Sequence, residues 1–384
     1  MLIRYYKEKK VMAEKKKSTS KKKGTSKSKL IILAVEIVVI IAMFLVAYQV
    51  FKMTKPKQGP TTIELNKEEL DIPDEVKERE EMKGYRNIAL FGVDATSDAQ
   101  LYTGSNSDSI MIASINMDTG AIKLVSVYRD TFLNIDDTNT FTKCNAAYSR
   151  GTVNGSKLKG GATPAIRMLN KNLDLDIEDF VTVGYKGLKE VVDGLGGIYI
   201  DIDEVELGHI NNYQITIAEK VLKCDYVPVT ETGYQKLDGL QAAAYCRIRY
   251  GGGDDFKRAS RQREVLKAIE AQAKKADLNT LTKVFNEVID DVYTSIDKDD
   301  IMDLIKNISK YHIEEEGGFP NENMRTTANI GAKGSCVIPV DLEKNVIWLH
   351  HFLFEDQEYT VTDRVKEYSK HIEEETYEYL HKKQ

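Results

Sequence analysis

The 384-residue chain carries 54 Lys plus Arg against 60 Asp plus Glu, a formal net charge of −6 at pH 7, and 42% of it is hydrophobic. That is enough apolar material for a sizeable core, which excludes a collagen-like, a wholly disordered or a multi-span membrane chain. Four cysteines without a CxxC pair exclude a disulfide scaffold or a zinc module and leave Cys144, Cys224, Cys246 and Cys336 as core thiols.

The charge is unevenly spread. Residues 1–29 hold Arg4 and eleven Lys against Glu8 and Glu14, about +10, so the rest of the chain is near −16. Residues 30–51 (LIILAVEIVVIIAMFLVAYQVF) form an apolar run broken by one carboxylate. As a helix it spans roughly 30 Å of hydrocarbon. No small-x-small cleavage pattern follows it, so it reads as an uncleaved transmembrane anchor rather than a signal peptide. The Lys-rich segment before it places the amino end in the cytoplasm by the positive-inside rule, and everything after Lys52 outside the cell. Lys runs broken by Ser and Thr, with no interleaved aromatics, suit anionic lipid, so the cytoplasmic membrane is the expected partner and nucleic acid is not. Residues 52–82, with Pro56, Pro60 and Pro73, read as an extracellular stalk.

Residues 83–355 read as one α/β domain, a mixed central β-sheet flanked by helices. The apolar run 87–93 (NIALFGV) is a buried strand ending at Asp94. A polar loop leads to Asp108, and the runs 109–116 and 121–127 form a hairpin around Asp118, Thr119 and Gly120. Helical patterns follow at 162–173 and 185–192, then a turn at 193–197 and a strand at 198–202. The glycines at 194, 196 and 197 precede a strand, which marks a turn and not a nucleotide loop. Residues 278–311 read as helices with Val284, Phe285, Val288 and Ile289 facing inward, and 336–339 as a late strand. The remainder, 356–384, is a charged helical tail whose Val361, Val365, Tyr368 and Ile372 make its one apolar stripe, and it reads as a loose amphipathic extension.

Chain connectivity alone assembles a candidate site. If the strand ending at Asp94 and the strand beginning near Asp108 are antiparallel neighbours, both carboxylates lie at one end of the sheet. The hairpin returns Arg129 and Asp130 to that end. Two carboxylates held together favour a cation between them, and oxygen donors suit Mg²⁺, which also borrows phosphate oxygens. The alternative is that these aspartates only cap loops.

A second constellation lies in 237–266 (LDGLQAAAYCRIRYGGGDDFKRASRQREVL). Asp238 is a good N-cap for a short helix over 239–245. Arg247 and Arg249 stand two apart, and a glycine run at 251–253 frees the backbone. Asp254 or Asp255 opens a second helix that carries Arg258, Arg261, Gln262 and Val265 at i, i+3, i+4 and i+7. Arginine forks bind phosphate bidentately and helix N-termini favour anions, so this reads as a site for more than one phosphate. The alternative is a solvated basic face. The six histidines show no ligand spacing and support neither a zinc site nor a Ser-His-Asp triad.

These segments, with GVDAT (92–96), SDSIMIASIN (107–116), SVYRDT (126–131) and KCNAAY (143–148), resemble the LytR-CpsA-Psr family of cell-wall ligases over about residues 85–354. The resemblance implies a membrane-anchored, Mg²⁺-dependent phosphotransferase. Such an enzyme moves a glycopolymer from a polyprenyl-pyrophosphate carrier to peptidoglycan and forms a phosphodiester with a muramic acid hydroxyl. It implies Asp94 and Asp108 as the metal-associated carboxylates, and Arg129, Arg247, Arg249, Arg258 and Gln262 as pyrophosphate-binding side chains. Arg261 and Lys143 are helpers by position, and Asp130 or Asp255 is an orienting acid or base. The family also holds its carrier lipid in an apolar tunnel, which nothing in the composition reveals. Two positions depart from its pattern: Asn106 stands where an Arg is usual, and Ala146 where a His is frequent. Two other readings stay open, a non-catalytic cell-envelope regulator and a polyprenyl pyrophosphatase.

Overall fold

The computed structural model describes residues 62–95, 99–152, 160–250 and 255–381. The basic tail, the apolar run 30–51, the first part of the stalk and the glycine run 251–253 lie outside the described residues. Among those described, no helix is long and apolar enough to cross a membrane.

The expected mixed sheet is present. Its strands are β1 (Tyr85–Val93), β2 (Ser107–Asn116), β3 (Ala121–Val127), β4 (Asp179–Val183), β5 (Val292–Thr294) and β6 (His312–Phe319), in the order β6-β3-β2-β1-β4-β5. β1, β2 and β3 form an antiparallel meander, β4 joins β1 in parallel and β6 joins β3 in parallel. The turn between β2 and β3 closes as expected: the Asn116 side chain accepts from the amides of Asp118 and Thr119, and Gly120 takes a positive φ of 79°. The short edge strand β5 gave no sequence signal, because three residues inside a helical region carry no period of two.

Both faces of the sheet are covered, which explains the nearly continuous apolar runs. Ala89, Phe91, Ile110, Ile112, Val125 and Val127 enter the main core. There they meet α1 (Ala162–Leu173), whose apolar residues are buried almost all round. Leu90, Met111, Ala113 and Leu124 alternate onto the other face. That face is covered by α2 (Tyr185–Gly194) and by α5 (Asp255–Ala273), whose Leu266 packs against Met111 and Leu90. Between them α3 (Glu204–Thr216) and α4 (Gly239–Tyr245) build a second core on a two-stranded ribbon, Ile198–Ile202 paired with Gly233–Leu237. The strand expected at 198–202 therefore exists but belongs to this ribbon and not to the central sheet. Asp238 caps α4 in a capping box with Gln241. All four cysteines are free thiols.

Two expectations are corrected. The segment up to residue 82 is not all stalk: Leu70, Ile72, Val76 and Met82 are buried in the main core, and the Ile63 amide donates to the Thr294 carbonyl (3.0 Å). Nor is the carboxyl-terminal helix loose. After α6 (Leu278–Val288) and α7 (Leu342–Phe354), helix α8 (Asp363–His381) buries Val365 and Ile372 in the main core, and Phe141 meets Tyr368 edge-on. The reason is polar as well as apolar. Asp174, at the left-handed end of α1, accepts hydrogen bonds from the Thr362 amide and hydroxyl (both 2.8 Å) and from the Tyr359 hydroxyl (2.9 Å).

His350 on α7 is fully buried, stacks on Tyr359 at 3.6 Å and lies 3.0 Å through Nε2 from the Leu173 carbonyl. Burial pushes its pKa down from 6.5 to about 4. Between those values the unfolded chain takes up a proton that the folded chain refuses, so stability falls as the pH drops from 6.5 toward 4. The expected contribution is about 3 kcal/mol. Thermal or urea unfolding of the wild type and His350→Gln across pH 4–8 checks this, and the variant should lack that part of the acid slope.

Candidate functional site

The site forms where strand ends meet. In the register Val93 faces Ser107, Gly92 faces Ser109 and Gly92 also faces Val183, while Met111 faces Ser126. The ends of β1, β3 and β4 and the start of β2 therefore share one edge. Pairing skips Asp108 between Ser109 and Ser107, so this residue is the extra member of a β-bulge, a feature that re-aims a side chain at a sheet edge. Gly92 is needed beside it, because an added Cβ would lie 2.9 Å from Ser109 Cβ.

The expected convergence is met. Arg129 Nη1 lies 2.6 Å from Asp108 Oδ1, and Arg247 Nη2 lies 3.3 Å from Asp94 Oδ2. At the start of α2, burial raises the Tyr185 pKa, Arg247 lowers it and the charges of Asp94 and Asp108 raise it further, so both carboxylates lie near this one phenol. Asp255, first residue of α5, binds Arg258 (2.8 Å) and Arg249 (3.2 Å) and stands 3.7 Å from Arg129 Nε. Arg247 also lies over the rings of Tyr185 (5.1 Å) and Tyr213 (5.9 Å), a cation–π arrangement that holds the fork without hiding its charge.

Burial first weakens the charged form of Arg129, yet the carboxylates of Asp108, Asp130 and Asp255 outweigh it, and its pKa ends up raised. Arg258 goes the other way: burial and then the neighbouring Arg129 charge lower its pKa, more than Asp255 and Asp108 restore. A guanidinium in that position gains from a further anion. Arg129 Nε is buried and has no hydrogen-bond acceptor among the described residues. Carboxylates of Asp130 and Asp255 stand 3.7 Å from that Nε, beyond hydrogen-bond distance.

Below the arginines lies a cavity of about 370 Å³. Arg129, Arg247, Arg249, Arg258, Gln262 and Asp108 line its polar side, and Leu90, Met111, Val181, Leu188, Val265 and Leu266 its apolar side. These apolar residues come from the second face of the sheet and from α2 and α5. Sequence reasoning missed them because alternation reads equally well as ordinary core. It also missed Tyr185 and Tyr213. Tyr185 had a signal, standing two residues past the end of β4; Tyr213, mid-helix, had none.

Two expected phosphate contacts are elsewhere. Lys143 pairs with Asp130 (3.3 Å) and does not line the cavity. Arg261 is buried against Glu206, on the far side of the segment that carries Arg247. Gln262, one residue on, does line the cavity, since neighbouring helical positions point about 100° apart. Cys144 is buried and donates to the Tyr128 carbonyl, and burial raises its pKa, so it is no nucleophile. Asn106 takes a hydrogen bond from the Ser149 hydroxyl (2.6 Å), and Ala146 is buried.

Among the described residues no group of three or more His, Cys, Asp or Glu is placed to hold a metal. Mg²⁺ asks for less, one or two carboxylates with water and phosphate oxygens completing its shell, and the hard oxygens of Asp94 and Asp108 fit that need.

The class is thus a mixed α/β fold with a cavity that is arginine-lined on one side and apolar on the other. The chain belongs to the LytR_cpsA_psr family, whose model matches residues 46–329. It is similar to Biofilm regulatory protein A of Streptococcus mutans, 28% identical over 248 residues, which are 60% of this chain and 57% of that one. It is also similar to the polyisoprenyl-teichoic acid–peptidoglycan teichoic acid transferase TagU of Enterococcus faecalis, 29% identical over 56% of this chain and 63% of that one. The matches thus span less than two thirds of either relative. The crystal structure of Bacillus subtilis TagV shares the fold at a TM-score of 0.55, with 24% identity over 73% of this chain and 99% of that one.

If Arg258 needs an anion, Arg258→Ala should weaken binding of inorganic pyrophosphate by about tenfold or more, whereas Lys143→Ala should change it by less than about twofold. Isothermal titration of the full chain at fixed salt checks both.

Proposed function

We propose that this chain is a membrane-anchored phosphotransferase that moves a glycopolymer from a polyprenyl-pyrophosphate carrier to peptidoglycan, leaving a phosphodiester. The observation that carries the reading is the two-sided cavity, with arginines on one side for a pyrophosphate and an apolar wall for a prenyl chain. The name of the Enterococcus faecalis relative, a teichoic acid transferase acting between a polyisoprenyl carrier and peptidoglycan, supports it. The apolar run 30–51 would anchor the chain with residues 1–29 in the cytoplasm, and a stalk ending before residue 62 would hold the catalytic domain outside the cell.

In this reading the pyrophosphate lies among Arg129, Arg247, Arg249 and Arg258, with Gln262 as an uncharged donor. Asp255 holds Arg249 and Arg258 before the substrate arrives, so the forks need little reorganisation when it does. An acceptor hydroxyl attacks the phosphorus that bears the glycan, the bridging P–O bond breaks, and polyprenyl phosphate leaves. The hydroxyl proton passes to a carboxylate at the sheet edge, with Asp130, Asp108 and Asp94 the groups in reach of Arg129 or Tyr185. Mg²⁺, held by Asp94 and Asp108, would neutralise charge building on the pyrophosphate oxygens. Leu188, Met111 and Val265 bind the prenyl chain by excluding water, which orients the pyrophosphate relative to the arginines.

The test incubates the full chain in detergent with a polyprenyl-pyrophosphate-linked glycan, peptidoglycan oligomers and Mg²⁺, and looks by mass spectrometry for a glycan-phosphate-muramic acid adduct. Arg129→Ala and Asp108→Ala should each lower adduct formation by about 10² or more. Met111→Trp, which fills the apolar side, should spare binding of inorganic pyrophosphate and weaken that of prenyl pyrophosphates. Release of polyprenyl phosphate with no adduct for any acceptor would replace the transferase by a pyrophosphatase.

A further inference from the structure

Arg247 and Arg249 face the cavity from a stretch of chain with no regular structure. α4 ends at Tyr245, and residues 248–250 belong to no helix or strand. A segment of this kind positions two guanidinium groups only if something else fixes its backbone. That support comes from one face of α3 and one residue of α5. Glu206, His209 and Tyr213 stand at i, i+3 and i+7 on α3, hence on one side of it. The Tyr213 hydroxyl donates to the Arg249 carbonyl (3.0 Å) and accepts from the Arg249 amide (3.2 Å). His209 stacks on the Tyr250 ring at 5.2 Å and 13°.

Arg261 completes the frame. Its Nη1 donates to the Ile248 carbonyl (3.1 Å), its Nη2 donates to the Tyr250 hydroxyl (3.0 Å), and its Nε donates to Glu206 Oε1 (2.7 Å). The guanidinium thus grips the residue between the two cavity arginines and the residue just after them. Glu206 meanwhile accepts the Asp203 amide through Oε2 (3.1 Å), as the third helical residue of the α3 capping box. Its two carboxylate oxygens are therefore divided, one for the helix start and one for Arg261.

A buried ion pair is poor evidence for stability, because desolvation cancels much of its attraction, and its best-attested use is fixing a register. We propose that Glu206 and Arg261 are a positioning pair, setting the Arg247–Ile248–Arg249 backbone so that both forks face the anion, and that Arg261 does not itself bind phosphate. The inference rests on the anion-binding reading above and deepens it.

Glu206→Gln separates the two roles. Glutamine is accepted in a capping box but offers one acceptor oxygen where the carboxylate offered two, so the α3 start survives while Arg261 loses its partner. The full chain, as wild type, Glu206→Gln, Arg261→Met, Arg261→Lys and the Glu206→Gln/Arg261→Met double variant, is titrated with inorganic pyrophosphate and with farnesyl pyrophosphate. Amide hydrogen exchange of residues 246–250 is followed without ligand. Each of the first two variants should lose about tenfold in affinity for both probes, the double variant should lose no more than either, and Arg261→Lys should recover part of the loss. Exchange at 248–250 should quicken in the same variants, with the thermal midpoint of the chain little changed. Wild-type affinity in Glu206→Gln beside a loss in Arg261→Met would make Arg261 a phosphate ligand and overturn the proposal. So would exchange that no variant alters. Should the wild type bind neither probe, the anion-binding reading fails, and the exchange result still decides whether the pair holds the segment.

Discussion

Four guanidinium groups at one cavity mouth repel each other, and the architecture answers that constraint with acids placed one by one. Asp108 holds Arg129, Asp94 holds Arg247, and Asp255 holds Arg249 and Arg258. Each acid has a backbone reason for its position. Asp94 follows a strand end, Asp108 is the extra residue of a bulge, and Asp255 opens a helix, whose N-terminus tolerates negative charge. Arg258 shows how close the balance is: burial first, and then the charge of Arg129, lower its pKa against the opposing pull of Asp255 and Asp108. In the proposed reading the pyrophosphate would complete a balance already prepared, which is how a polar site binds charge without reorganising.

The sheet serves both halves of that site. Alternation along β1 and β2 sends Phe91, Ile110 and Ile112 into the main core and Leu90 and Met111 to the other face, where both line the cavity, and the end of β1 at Gly92 and Val93 completes that wall. α5 repeats the device with a period of 3.6. Its first turns bring Arg258 and Gln262 to the polar side, and one turn later Val265 and Leu266 face the apolar side. The amphipathic character of the cavity thus runs along a single helix, and shifting that helix would move charge and apolar wall together.

The parts legible in the sequence are those with a period or a terminus. The meander of β1 to β3 follows from alternation and a turn signal, and once it is granted, the meeting of Asp94, Asp108 and Arg129 is forced by connectivity. Asp238 was legible as a cap because capping needs only neighbouring residues. What resisted was tertiary. Arg261 shares its helix and its charge with Arg258, and only the burial of Glu206 on α3, 55 residues earlier, decides that the two point to different partners. The carboxyl-terminal helix looked loose because its apolar stripe is narrow, and the deciding contacts belong to Asp174, far away in sequence. Lys143 looked like a phosphate contact from its nearness to Arg129 in the chain, and Asp130 takes it.

The same contrast orders the arginines themselves. Arg258 sits on a rigid helix, and its position follows from that of α5. Arg247 and Arg249 sit beyond the end of a seven-residue helix, where α4 alone cannot set their direction. A cluster made of both kinds is only as well defined as its irregular half. The hydrogen bonds converging on Ile248, Arg249 and Tyr250 from α3 and α5 transfer the rigidity of two helices to that half. Ile248, fully buried between the two cavity arginines, adds an apolar anchor to the polar ones. The second core around the ribbon of residues 198–202 and 233–237 therefore supports the cavity, because it holds α3 where Tyr213 reaches Arg249 directly and Glu206 reaches the segment through Arg261.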